Sequence, residues 1–197
     1  MTATYADLRA VPAHLVAEII DGAIRTRSHG HAQPAMARTV LLTTLRPLAL
    51  TRNHPEARWQ LLHLPELHLG KDVLVPDLAA WHVERLPTLP DDHFVLRPDW
   101  VCEFTGYQAE AKALQAKLAL YASYGVEHLW TIDLVGREFQ AFELHANRWN
   151  LVATASRPDI VSASPFEAIS FSLADLWPLD KPLGLSESPQ ALYAGDR

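Results

Sequence analysis

Cysteine is almost missing: Cys102 is the one example in 197 residues. An internal disulfide and a Cys-rich zinc site are therefore excluded, and a reducing, cytoplasmic location is expected. No uninterrupted apolar stretch approaches the roughly 18 residues that a membrane-crossing helix needs. Near the start, Asp7 and Arg9 stand where an export signal would place its apolar core. Positive charge is also scarce. Lys and Arg number 17 against 23 Asp and Glu, a net charge of −6 with histidines neutral. A basic coat for nucleic acid is thus excluded, whereas a local basic groove is not. The chain has no internal repeat, no long charge run, no phosphate-binding glycine loop and no dinucleotide fingerprint. No serine lies in a nucleophile-elbow pattern.

What is present is ordinary for a globular protein: 49% hydrophobic and 20% charged residues, at a length that favours one domain. The first 15 residues read as a lead-in. VAEIID and GAIRTR read as two strands around Asp21-Gly22, a good hairpin signal because Gly tolerates positive φ. Residues 33–46 have helical spacing through Met36, Val40, Leu41 and Leu45, and Pro47 is expected to end or bend that helix. Trp59 to Leu64 and Val73 to Val83 read as strands. Residues 84–98, with Pro87, Pro90 and Pro98, read as the most mobile loop in the body of the chain. Trp100 to Phe104 reads as a buried strand. Gln108 to Tyr124 is the clearest helix, striped by Ala111, Leu114, Leu118 and Tyr121 and stopped by Gly125. Strands follow at His128–Asp133, Glu138–His145 and Trp149–Ala153, then a helical turn or two at Phe171–Trp177. Residues 180–197 shift to Pro, Gly, Ser and Asp and read as a disordered tail. The pattern predicts an α/β or α+β sheet with helices packed on it.

Chemistry gathers around two Pro-Asp pairs, Pro76-Asp77 inside VLVPDLAAW and Pro98-Asp99 ahead of WVCEF. On a strand, residues 99, 101 and 103 share a face. Glu103 is then a carboxylate at the end of an apolar strand, and burial without a partner would be expensive. It needs a cation, a metal or an exit to solvent. Acids at adjacent strand ends suit an oxygen-loving divalent ion such as Mg²⁺. Lys117 borders the apolar stripe of its helix, where it could meet Asp77 and Glu103, and Glu18 could add a fourth polar group. Such a set suits metal-assisted phosphodiester hydrolysis: acids hold the ion, and the lysine stabilises charge or orients water. The bland alternatives are that Pro-Asp pairs open turns and that a lysine beside an apolar stripe snorkels to solvent.

The ordered set EIIDG, VPDLAAW, then EF…KLALYASYGVEHLWTID resembles the Uma-two family of restriction endonuclease-like proteins, within the PD-(D/E)XK nuclease superfamily. The resemblance spans about residue 17 to Trp177 and is strongest from Lys117 to Asp133. It implies a restriction-endonuclease-like mixed β-sheet flanked by helices over residues 1–179. It puts the family's metal-binding acids on Asp77 and Glu103, its upstream Glu on Glu18 and its helix-borne lysine on Lys117. It further implies Mg²⁺ or Mn²⁺ as cofactor, and Mg-dependent endodeoxyribonuclease activity with DNA as substrate. A homodimer would cut two strands with two symmetric copies. The position two residues after the second acid is Thr105, which cannot replace a lysine. The family's Ser-Pro-Ser-like turn reads Thr105-Gly106-Tyr107-Gln108 here, and Ala113 stands where an Asp is usual. A second reading is therefore a catalytically decayed module that binds a partner or assembles on the same fold.

Other polar residues have plainer readings. His29 and His31 read as a solvated loop, with His31 a weak candidate for substrate contact at the rim of the site. His63 and His68 flank Pro65 without zinc spacing. Arg25, Arg27 and Arg38 could contact a phosphate backbone or simply line a solvated edge. Cys102, opposite Glu103 on its strand, reads as a small buried hydrophobe. Trp59, Trp81, Trp100, Trp130 and Trp149 read as core.

Overall fold

Asp21 and Gly22 both adopt positive φ, 51° and 74°, as a two-residue hairpin turn requires. They join β1 (Leu15–Ile20) to β2 (Ala23–Ser28), antiparallel, with Glu18 opposite Arg25 and Val16 opposite Arg27. The structure, a computed structural model, describes residues 2–28, 32–50, 59–106 and 111–178. His29, His31 and the tail expected at 180–197 lie outside the described residues, as do Tyr107 and Gln108.

Two sheets organise the fold. The hairpin joins β4 (Leu67–Leu69) and β5 (Asp72–Leu74) in a four-stranded sheet of order β2-β1-β5-β4. The larger sheet uses β3 (Trp59–His63), β6 (Leu78–His82), β7 (Trp100–Thr105), β8 (His128–Asp133), β9 (Glu138–His145) and β10 (Arg148–Ser156). Its order is β10-β9-β8-β7-β6-β3. Neighbours in it run antiparallel except β7 and β8, which are parallel. A parallel pair needs a crossover, and here that is α3 (Ala111–Ser123). A small pair, β11 (Ile160–Val161) and β12 (Phe171–Ser172), leads into a closing 3-10 turn at Leu173–Leu176. With α1 (Tyr5–Arg9) and α2 (Ala32–Leu50), the described residues form an α+β fold of mixed sheets and three helices.

The central strands β6, β7 and β8 are largely buried on both faces, and strand alternation sorts their residues. Trp100, Cys102 and Phe104 of β7 pack with Leu41 and Leu45 of α2 and with Trp130 and Phe166. Val101, from the other face of β7, packs with Tyr121 of α3 and with Ile20, Leu67 and Leu74 of the small sheet. Glu103 shares the Val101 face, between two layers of apolar side chains. Cys102 is fully buried on the opposite face, as expected, and burial pushes its thiol well above the ordinary range.

Several expected boundaries move. The lead-in holds α1, whose Thr4 and Asp7 form a reciprocal capping box. Pro47 does not end α2; the helix runs through it to Leu50. Burial of Leu48 beside Leu41 and Leu45 outweighs the missing N–H. The strand expected over Val73–Val83 is two strands in two different sheets, parted at Val75-Pro76-Asp77, because Pro76 cannot donate to a ladder. The 84–98 loop is tethered: His68 N–H donates to the Phe94 carbonyl at 2.8 Å and Phe94 N–H to the Glu66 carbonyl at 2.9 Å. Trp149 is only half-buried, with its indole N–H on the Leu118 carbonyl at 2.9 Å. The other four expected core tryptophans are buried.

Candidate active site

The break at Pro76 passes the chain from the small sheet to the large one, and the polar residues collect around it. Glu18 on β1 points inward, and its Oε1 accepts the Val75 N–H at 2.7 Å. The Val75 carbonyl accepts from Lys117 Nζ and from Arg27 Nη2, each at 3.2 Å. One peptide segment thereby ties β1, β2 and α3 together.

Lys117 lies in the middle of α3 and is directed at the sheet. Its Nζ is 2.7 Å from Glu103 Oε1 and 2.9 Å from Glu18 Oε1. It does not snorkel: its side chain is 5% exposed, as are those of its two partners to within a percent. One helical turn on, the Tyr121 hydroxyl donates to the same Glu103 oxygen at 2.7 Å. Residues four apart on a helix face the same way, so this spacing was the available signal for Tyr121.

Asp77 completes the group from the start of β6. Its Oδ2 accepts the Phe104 N–H at 2.9 Å, which places the carboxylate beside Glu103 across the β6–β7 pair. Its Oδ1 stands 3.2 Å from Arg27 Nη2 and 3.3 Å from Arg38 Nε. That oxygen is buried and accepts no hydrogen bond of good geometry. Arg38, from α2, is buried and also lies 3.5 Å from the exposed His63 ring. The two arginines expected at a phosphate contact or a solvated edge thus grip an acid. Asp99, although buried, is not part of this group; it pairs with Arg85 and caps the His82 N–H at 2.8 Å. Thr105 is half-buried at the end of β7.

The structure therefore brings Glu18, Asp77, Glu103 and Lys117 together, and adds Arg27, Arg38 and Tyr121. Three carboxylates face three cations, so the ionised group is neutral as a whole. Burial raises the Glu103 carboxyl from its ordinary 4.5 to about 7, against the pull of Lys117 and with Asp77 and Glu18 adding to the rise. Burial works against the Lys117 ammonium, but Glu103 and Glu18 outweigh it and hold the charge above the usual lysine range. Burial and the neighbouring Glu103 push the Tyr121 hydroxyl well up, so it stays a proton donor. The donor chemistry fits a hard divalent ion: carboxylate oxygens converge, and one buried Asp77 oxygen has only ionic contacts.

The sequence profile of a family described as "Uma2: Putative restriction endonuclease" matches residues 3–175. The chain is also similar to the crystal structure of a protein from Anabaena variabilis titled a "putative nuclease belonging to DUF820". The TM-score is 0.72 at 15% identity, over 89% of this chain and 98% of the other. At that identity the likeness establishes the fold. Among curated proteins none matches the sequence.

Proposed function

This chain belongs to the Uma2 family of restriction endonuclease-like proteins, and from that premise we propose that it is a divalent-metal-dependent endonuclease that hydrolyses DNA phosphodiester bonds. The single observation that carries the reading is Lys117, buried between Glu103 and Glu18 at 2.7 and 2.9 Å. A buried ammonium so held serves as a fixed positive charge.

In this reading Asp77 and Glu103 hold Mg²⁺ or Mn²⁺. When bound, the ion lowers the pKa of a water and neutralises charge on the phosphate. Lys117 keeps its proton and directs it at the phosphoryl oxygen, where negative charge grows in the transition state. Tyr121 fixes the orientation of Glu103. Glu18 holds Lys117 and Val75 in place and offers a second carboxylate to the water. Arg27, the more exposed of the two clamping arginines with a side chain 20% accessible, is the group able to turn from Asp77 toward a phosphate. Residues 1–179 act as one domain, and two copies act on a duplex as a homodimer.

A specific observation favours the second reading, a decayed module that binds a partner. Asp77 is already neutralised by Arg27 and Arg38, and a divalent ion must compete with them. Calorimetric titration of Mn²⁺ and Mg²⁺ separates the two. The nuclease reading requires binding to the wild type that Asp77→Ala loses and Lys117→Met keeps. Equal heats for wild type and Asp77→Ala overturn it in favour of the decayed module.

A further inference from the structure

A second group of ligating side chains lies outside the acid-lysine site. Glu66 and His68 flank Leu67 of β4, and His93 comes from the proline-rich loop. One carboxylate oxygen and one nitrogen from each ring lie within 4.8 Å of one another. The group occupies the other side of the small sheet. His68 is paired with Val73, whose side chain packs with Ile19 and Leu8 under α1. Glu18 is next to Ile19 on β1 and therefore projects from the opposite face.

We infer that Glu66, His68 and His93 form a binding site for a zinc-class divalent ion, distinct from the oxygen site at Asp77 and Glu103. Two imidazoles and one carboxylate are a borderline-soft donor set. It suits Zn²⁺, Co²⁺ or Ni²⁺ and suits Mg²⁺ poorly. Around a tetrahedral zinc, bonds of about 2.0–2.2 Å set ligand atoms roughly 3.3–3.5 Å apart. The three donors need to close by an ångström or so at most. His68 Nε2 and Glu66 Oε1, now 2.6 Å apart, would part slightly to admit the ion between them.

The surroundings are those of a metal centre. His93 Nδ1 lies 3.3 Å from Asp92 Oδ2, a carboxylate able to orient the ring. The Tyr5 hydroxyl of α1 donates to Glu66 Oε1 at 2.9 Å and orients the carboxylate. Glu66 and Asp92 together balance a divalent charge. The His68 and His93 rings stack at 3.7 Å, so one ring has to turn out of the stack for both in-plane lone pairs to meet at one ion. The side chains of Glu66, His68 and His93 are 32%, 20% and 31% exposed, which gives the ion access from solvent. The fourth position is open to water. The consequence is structural: one ion would staple the 84–98 loop to β4, with α1 attached through Tyr5.

Equilibrium dialysis and thermal melting with Zn²⁺ test this on the full chain. Wild type and Asp77→Ala should each bind about one Zn²⁺. Each should gain about 5–10 °C in Tm at about a hundredfold excess over Kd. His93→Gln and His68→Gln should each weaken binding at least about tenfold and lose the gain. Replacing zinc by Co²⁺ should give visible absorption in wild type that His93→Gln lacks. Circular dichroism of the metal-free variants establishes folding; if His68→Gln fails that check, His93→Gln, on the loop, decides. The inference is overturned if wild type binds no Zn²⁺, or if His93→Gln binds it as tightly as wild type. Loss of zinc in a folded Asp77→Ala also overturns it, because the ion would then belong to the acid-lysine site.

Discussion

At the scale of single residues, the acid-lysine group is a closed set of charges, and closing it has consequences. Glu18, Asp77 and Glu103 oppose Arg27, Arg38 and Lys117. A divalent ion entering this neutral set leaves two positive charges in excess. Removing Arg27 leaves the set at −1 and leaves Asp77 Oδ1 with Arg38 as its one cationic neighbour in the group. Arg27→Ala should therefore bind Mn²⁺ more tightly than wild type in the absence of DNA, by on the order of tenfold, or 1.4 kcal/mol. Calorimetry reads this directly, and a weaker affinity contradicts it. Glu103 supplies a second prediction. Its folded-state carboxyl is raised to about 7 from 4.5, chiefly by burial. The folded, metal-free chain thus holds a proton that the unfolded chain releases. This contribution to stability is full below about 4.5 and is lost as pH rises through about 7. Glu103→Gln lacks it. Urea midpoints in chelator should shift in favour of the variant as pH rises across that window, and a shift the other way refutes the assignment.

These residues were unequally legible. Asp77, Glu103 and Lys117 stand out in the sequence because a polar group inside an apolar run needs a reason. Glu18 does too, once the hairpin places it inward. The arginine clamp on Asp77 was not legible, because it joins β2, α2 and the Pro76 break through contacts with no sequence spacing. The Glu66-His68-His93 group was hidden for a similar reason. Glu66 and His68 are two apart on a strand and share a face, but His93 arrives from a loop 25 positions later.

At the scale of elements, periodicity identified what packs and missed what bends. The Asp-Gly hairpin, α3 and the strands from β7 to β9 follow from alternation, helical stripes and glycine stops. The unbroken strand expected over Val73–Val83 fails at Pro76. That failure makes the site, since the chain changes sheets there and exposes the Val75 carbonyl to Lys117 and Arg27. Pro47 went the other way, and tertiary burial of Leu48 carried the helix past it. Pro47 is exposed, and replacing it by alanine restores a backbone donor. Pro47→Ala should stabilise the chain by up to about 3 kcal/mol. Chemical denaturation checks this; a loss of stability would contradict it.

At the scale of the whole molecule, a net charge of −6 is an obstacle to binding a polyanion, and any affinity for DNA has to be local. The local cations are Arg27, Arg38 and Lys117, and each is engaged by a carboxylate in the metal-free protein. DNA and metal should accordingly bind together, each supplying the charge that the other needs. No helix among the described residues is long and apolar enough to cross a membrane. The family and the fold agree on a nuclease-like body, but function resides in the site and not in the fold. The most direct test is conversion of supercoiled plasmid to nicked circle with Mn²⁺ or Mg²⁺, comparing wild type with Asp77→Ala. The account predicts nicking by wild type that chelator abolishes, and a loss of at least about a hundredfold in Asp77→Ala, as for removal of a principal transition-state contact. Nicking by Asp77→Ala at the wild-type rate, or none by metal-loaded wild type, would contradict it.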